Sequence, residues 1–223
     1  MTVSFPIASE NTFALLRAVG ETKENMLRTA LRLFARQGYE ATSISDIAAE
    51  LGMTKSALYK HYAGKQAIFD AIVARMAGQD AERAQENGVP AEEYAEGDES
   101  YGRTTARDTA GYARAQFVYW TQDAFAADFR RMLTLEQYRS GEMSALYHAY
   151  LGAGPLEYMQ DLFREGMEQG VWKQDDPAQA ALAFYAPMHL LYAVADARGE
   201  EAALALLDEH LKRFVEERAN GND

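Results

Sequence analysis

The chain has 223 residues, enough for one large domain or a small one joined to a larger, and its 48% hydrophobic and 25% charged content is ordinary for a globular protein. It has no cysteine, which excludes disulfides and Cys-ligated zinc or iron–sulfur sites and fits a reducing compartment. The net charge of −12 argues against a nucleic-acid partner only until the chain is divided: residues 1–78 carry 9 basic and 7 acidic side chains, net +2, which leaves −14 for the remainder. DNA affinity follows the local charge that faces the phosphates, so the N-terminal part stays open to that role. No run of about 18 apolar residues occurs, and the opening MTVSFPIASENTF lacks the basic start and apolar stretch of a secretion signal. No membrane partner and a cytoplasmic location are therefore expected.

Residues 1–20 read as an N-terminal extension. Phe13, Leu15, Leu16 and Val19 can form a short amphipathic helix, or the segment is a disordered arm; with Arg17 as its one basic residue it is poorly equipped to enter a minor groove. Leu27, Ala30, Leu31 and Phe34 then mark one helical face, and Gly38 ends it. Ile44, Ile47, Ala48 and Leu51 form a second, shorter stripe closed by Gly52. A third short helix fits residues 55–61, and a fourth opens near Lys65 with Ile68, Phe69, Ile72, Val73 and Met76. Gln85 to Thr109, with Gly88, Pro90, Gly97 and Gly102 among acidic residues, reads as a flexible connection.

From Tyr112 to Arg218 the pattern is helical again and rich in aromatics. Asp176-Pro177 opens a helix, with Pro at its first position. The last long segments are 177–197 and 200–218, separated by Gly199, and Pro187 predicts a kink in the first of them. The fold expected is all-α: a three-helix helix-turn-helix domain over residues 21–80, a connection over 81–110, and a helical domain over 111–223.

The segment ATSISDIAAELGMTKSALYKHYAGKQAIFDAIV, residues 41–73, is the most informative. Ser43 caps the second helix with Asp46 three residues on, close to a capping box. Gly52 supplies the tight turn and Thr54 caps the next helix, whose inward residues are Ala57 and Leu58. Small Ala48 lets the two helices approach. Such a pair is a helix-turn-helix, whose second helix enters the major groove. Lys55, Ser56 and Tyr59 then face base edges or phosphates, while Lys60, His61 and Tyr62 close the helix with donors. Thr42 and Ser43 sit where free amides favour an anion, and Lys65 begins the following helix.

Residues 22–76, and above all LFARQGYEATSISDIAAELGMTKSALYKHYAGK, resemble the DNA-binding domain of the TetR family of bacterial repressors. Tyr62, where that family commonly has phenylalanine, and Gly64 after Ala63 depart from its pattern. The resemblance implies DNA contacts by Thr42, Ser43, Lys55, Ser56, Tyr59, His61, Tyr62 and Lys65. It further implies a homodimer on double-stranded operator DNA, and C-terminal helices that bind a small-molecule inducer and form the dimer.

The sequence supports those C-terminal roles unevenly. Residues 177–197 are apolar on most faces, and Leu204, Leu207, Leu211, Phe214 and Val215 give the last helix a broad apolar face, which serves either a dimer interface or an internal core. Candidate ligand residues are Trp120, Phe129, Tyr138, Tyr147, Phe163, Tyr185, His189 and Tyr192, with Phe125, Met132, Met159 and Met167 beside them; the same aromatic stripe also suits plain core. Catalytic and metal readings find no footing. There is no G-x-S-x-G, G-x-x-x-x-G-K or G-x-G-x-x-G motif, and His61, His148, His189 and His210 are too scattered for a metal pair. No cofactor and no enzyme activity are expected.

Overall fold

The computed structural model describes residues 10–86 and 105–221, with side-chain placement for residues 20–79 and 105–221. Among the described residues there are ten helices: α1 (Glu10–Gln37), α2 (Ile44–Glu50), α3 (Lys55–Tyr59), α4 (Lys65–Glu86), α5 (Ala106–Gln122), α6 (Ala124–Glu136), α7 (Gly141–Leu151), α8 (Ala153–Glu168), α9 (Pro177–Arg198) and α10 (Glu200–Arg218). Two compact units separate at Arg75–Met76, inside α4 and earlier than the expected boundary at residue 80.

In the first unit, local chemistry sets each helix end. Gly38 stops α1 with φ of 91° while its amide reaches the Phe34 carbonyl at 2.9 Å. At α2 the full capping box forms: the Asp46 amide donates to the Ser43 hydroxyl at 3.2 Å, and the Asp46 carboxylate accepts from the Ser43 amide at 2.8 Å. Gly52 turns the chain with φ of 65°, and Thr54 Oγ1 accepts from the Ala57 amide at 3.2 Å to open α3. The apolar stripes Leu27, Leu31 and Phe34, then Ile47 and Ala48, Leu58, and finally Ile68, Phe69 and Ile72 meet in one buried core. Tyr39 joins it, its ring edge-on to Phe34 and Phe69 at 5.1 and 5.2 Å.

The structure redraws two segments. Residues 10–20 are neither a separate helix nor an arm but the first turns of α1, because no helix-breaking residue other than Gly20 interrupts Glu10 to Gln37; residues 1–9 lie outside the described residues. The connection expected over 81–110 overlaps both flanking helices. Thr105 and Asp108 form a capping box that opens α5 at Ala106, while α4 runs to Glu86. Residues 87–104 of that connection lie outside the described residues.

In the second unit α8, α9 and α10 pack together, with α5 and α6 completing the core. Side-chain oxygens of Asp123, Ser140 and Asp176 cap α6, α7 and α9. Pro187 sits inside α9 without ending it. Phe163, Phe184 and Phe214 pack ring to ring with centroids 4.9–5.5 Å apart, and Trp172 closes on Phe163 at 5.0 Å. Gly166 admits that indole: a Cβ there would lie 2.5 Å from Trp172 Cδ1.

One buried cation ties α5, α6 and α9 together. The Arg130 side chain is 4% exposed. Its Nε donates to the Trp120 carbonyl at 3.1 Å, and Nη1 and Nη2 donate to the two Asp196 oxygens at 2.8 Å each. Arg131 adds bonds of 2.9 and 2.7 Å to Asp196 Oδ1. Burial pushes the Asp196 carboxyl up, but the hydrogen bonds and charges of Arg130 and Arg131 outweigh it and hold the group below its ordinary range. A depressed carboxyl contributes its stability above the ordinary carboxylate range and loses it as pH falls through the folded value. We expect Asp196→Asn to lower the stability of the second unit by about 2 kcal/mol at neutral pH, less than for a fully buried broken pair because Asp196 is partly solvated. The gap between variant and parent should narrow as pH drops below roughly 4; denaturant unfolding across pH 3–7 measures it.

Candidate nucleic-acid interface and ligand cavity

The α2–turn–α3 pair presents one exposed polar face. Leu58 is fully buried and anchors α3, so Lys55, Ser56 and Tyr59, one turn apart on the opposite side, are exposed together with Lys60. Tyr59 is 52% exposed, far above an ordinary core tyrosine. His61 and Tyr62 are half-buried just beyond. Burial pushes the Tyr62 phenol up, with the charge of Glu24 adding to it, so it remains a neutral donor.

Two expected contact residues have other work. Thr42 is 1% exposed; its hydroxyl donates to the Gly38 carbonyl at 2.8 Å and accepts from Gln37 Nε2 at 3.1 Å, and its amide reaches Tyr39 O at 3.2 Å. Its polar atoms pin the α1–α2 turn and do not face solvent. Lys65 Nζ donates to the Tyr39 carbonyl at 2.7 Å and lies 4.1 Å from the centre of the Tyr39 ring, locking the start of α4 to the same turn. The anion site expected at the start of α2 is also changed. Ser43 is exposed, but the Asp46 carboxylate already occupies that N-terminus, held below its ordinary range by the Ser43 hydroxyl, then by its amide and, more weakly, by the charge of Lys55. A phosphate placed there would meet a like charge.

In the second unit a cavity of about 200 Å³ opens between α5, α7, α8 and α9. Of the eight expected ligand residues it gathers Trp120, Tyr185 and Tyr192. Tyr185 donates its hydroxyl to the Leu151 carbonyl at 2.9 Å, and Tyr192 stacks on Phe117 at 5.2 Å. Burial, first of all, raises both phenols above their ordinary value.

The other five do not line it. Tyr138 is 90% exposed at the end of α6 and touches no enclosed space. Phe129 is buried behind the wall, edge-on to Tyr150 at 5.1 Å. Tyr147 and His189 bond each other, hydroxyl to Nε2 at 3.2 Å, outside the lining. Burial lowers the His189 imidazole; the Leu151 carbonyl opposes that and the Arg130 charge reinforces it, so the ring is neutral at neutral pH. Phe163 belongs to the aromatic core and borders a second cavity of about 330 Å³ whose polar rim is satisfied internally: Arg218 pairs with Asp175, and Lys173 Nζ donates to the Glu217 carbonyl at 2.7 Å.

Sequence reasoning missed Tyr112, Gln116, Tyr150, Tyr158 and Met188 as lining residues. The usable signal was small, not large: Ala113, Ala149 and Gly154 stand on helix faces opposite these rings and leave the space open.

Residues 26–72 match the family model of bacterial regulatory proteins of the tetR family. The chain is 44% identical over 50 residues to the uncharacterized HTH-type transcriptional regulator YerO of Bacillus subtilis (strain 168), and 42% identical over 52 residues to the HTH-type transcriptional regulator AcrR of Shigella flexneri. Those matches span 22% and 23% of this chain but only 17% and 24% of the two relatives. The fold is also similar to that of the SmeT–triclosan complex, SmeT being from Stenotrophomonas maltophilia, with a TM-score of 0.64 and 18% identity over 91% of this chain and 93% of that one.

The buried role of Thr42 separates it from the exposed α3 face. Thr42→Val leaves the buried Gly38 carbonyl without its hydroxyl partner, while the exposed Gln37 amide can turn to water. It should cost about 1–3 kcal/mol of stability in the first unit, read by chemical unfolding, whereas Ser56→Ala should cost almost none.

Proposed function

We propose that this chain, whose residues 26–72 form a helix-turn-helix of the TetR family, is a ligand-responsive transcriptional repressor and not an enzyme. It binds a palindromic operator as a cytoplasmic homodimer and is released by a small-molecule inducer. The observation that carries the reading is the α3 face: Lys55, Ser56, Tyr59 and Lys60 exposed in register on a helix anchored by buried Leu58. Lysines and a serine supply phosphate contacts that position the protein, and Tyr59 with Lys55 reaches base edges that specify sequence. Ser43, His61 and Tyr62 flank that face. Thr42 and Lys65 act indirectly, by fixing the turn that aims it.

Repression and ligand control are supported by SmeT, which is described as the repressor of a multidrug efflux pump and was solved with triclosan, and by a half-open, largely aromatic cavity in the second unit here. Dimerisation is supported by α9. Between its polar ends, where Gln179, Asp196 and Arg198 are exposed, the exposed residues Leu182, Ala183, Ala186, Leu190 and Ala193 recur at helical spacing, and Ala202, Ala205 and Leu206 of α10 are exposed as well. An apolar stripe facing solvent is the composition of an interface, and a two-fold axis lets one stripe meet its own copy. Leu207, Leu211 and Phe214, in contrast, are buried within the chain and serve its core. By length and hydropathy α9 could also cross a membrane, but Ala180, Phe184, Met188 and Leu191 pack it into that core.

A dimer places two recognition helices about one DNA turn, roughly 34–36 Å, apart. An inducer shifts the equilibrium away from that geometry by its differential affinity for the two states. Gel-shift titration against the DNA upstream of the protein's own gene tests the reading. Lys55→Ala and Tyr59→Ala should each weaken binding about tenfold or more, with affinity falling steeply as salt rises. Unchanged affinity in both variants would overturn the assignment of α3. Leu190→Glu should convert the dimer to a folded monomer in sedimentation analysis and abolish operator binding; a dimer that survives it would place the interface elsewhere.

A further inference from the structure

We propose that Asp46 is a specificity-determining residue of the helix-turn-helix: its carboxylate at the start of α2 rejects backbone phosphate, so that DNA is held through the α3 face and not through indiscriminate contacts to the duplex backbone. This rests on the reading of α3 as the DNA-facing helix and adds what limits unspecific binding there.

The partners of Asp46 set it apart from other acids of the first unit. Glu24 is bonded by Arg28 and Arg75, Glu50 accepts from Arg32 at 2.8 Å, and Glu40 lies 4.0 Å from Lys65 Nζ. Each of those charges is answered by a cation. Asp46 is exposed and is held only by Ser43, whose amide and hydroxyl donate to Oδ2 at 2.8 and 2.7 Å. Among the described residues no Arg, Lys or His pairs with it at 4.0 Å or less. Lys55, at the start of α3, acts on it only through space. Both Ser43 bonds favour the ionised form, so the charge persists well into the acid range. They also pin it. A short side chain tied twice to its own cap cannot swing aside when a phosphate approaches.

Docking turns that pinned charge into discrimination. In a helix-turn-helix complex the first helix crosses the DNA backbone while the second lies in the groove. Unspecific binding draws essentially all its affinity from phosphate contacts, and the protein is then free to adopt whichever arrangement collects most of them. A fixed carboxylate beside exposed Ser43 removes the arrangements that bring a phosphate to the start of α2. The seated complex has no such freedom, because base-edge contacts of α3 fix its register. Removing the charge therefore favours unspecific complexes more than the seated one.

Fluorescence anisotropy of the full chain on two labelled duplexes tests this. One is of random sequence, the other is taken from the DNA upstream of the protein's own gene; each has about 30 base pairs, enough for two successive major-groove sites. Asp46→Asn and Asp46→Gln remove the charge but keep an oxygen for the Ser43 amide, and Asp46→Glu keeps both. Glu157→Gln makes the same change of net charge on the exposed surface of α8. At about 50 mM salt, the Asn and Gln variants should bind the random duplex about threefold more tightly per subunit, or about tenfold for a dimer with two copies. They should gain less on the upstream duplex, so the preference for it falls. The gain should shrink at about 200 mM salt, as screening of exposed charges requires. Asp46→Glu should retain the parent's weaker grip on the random duplex, and Glu157→Gln should stay within about twofold of the parent. Chemical unfolding checks that each variant keeps its cap; Gln and Glu, which differ only in charge, decide the matter if Asn loosens α2. Unchanged random-duplex affinity in the uncharged variants overturns the proposal. So does an equal gain on both duplexes, or an equal gain from Asp46→Glu or Glu157→Gln. A parent that prefers the upstream duplex while Asp46 has no effect loses only this assignment. A parent that binds both duplexes alike, with the uncharged variants tighter on the random one, loses the operator reading instead.

Discussion

The second unit is organised around a guanidinium that cannot be left unpaired. Arg130 is buried, and a buried cation without partners is far more costly than any single packing contact. Its requirements fix three elements at once: the end of α5 through the Trp120 carbonyl, the register of α9 through Asp196, and the wall of the cavity through the Tyr192 ring. Arg131 on the next position of α6 shares the same carboxylate, so one acid on α9 is claimed by two cations of α6. That geometry leaves little freedom to slide α9 along α6. The same helix α9 carries cavity residues on its inner side and the apolar stripe on its outer side, so whatever moves Tyr192 must work against the Arg130–Asp196 pair before it can move that stripe.

The first unit shows the opposite economy. Its precision comes from contacts closed within a few residues: Ser43 with Asp46, Thr54 with Ala57, Thr42 with Gly38, and Gly38 and Gly52 in left-handed turns. Each is a short-range rule that a sequence displays openly. That is why the caps, the turn and the exposed α3 face could be read from residues 41–65 before any coordinates. Two residues there have internal partners that the sequence does not display. Threonine before a capping serine, and lysine at a helix start, look like phosphate donors in one dimension. Only the fold reveals that Tyr39 and Gly38 pass close enough to take their hydrogen bonds.

The cavity was legible only in part for a related reason. Periodicity tells which side of a helix faces inward, and it placed Trp120, Tyr185 and Tyr192 correctly on inner faces. It does not tell whether an inner face meets another ring or an opening. Phe129 and Phe163 carry the same signal and meet rings; Tyr138 carries it in the turn just past α6 and meets water. Where four helices enclose space is set by their small residues, and Ala113, Ala149 and Gly154 are silent in any scan for large apolar groups. The extent of α1 was legible only as one of two readings: Phe13, Leu15, Leu16 and Val19 allowed a short helix, and nothing after them stops it once the downstream turns exist.

Charge distribution links the two halves. The sequence beyond residue 78 carries a net −14, and among the described residues the buried Arg130 is neutralised by Asp196 on the spot. In the operator complex proposed above, phosphate would repel the acidic unit, which would disfavour its unspecific adhesion to the duplex and leave α3 as the favoured point of approach. On that reading, the acidity that first weighs against a nucleic-acid partner acts on orientation, and the short basic helix face gains selectivity from the negative charge elsewhere in the chain.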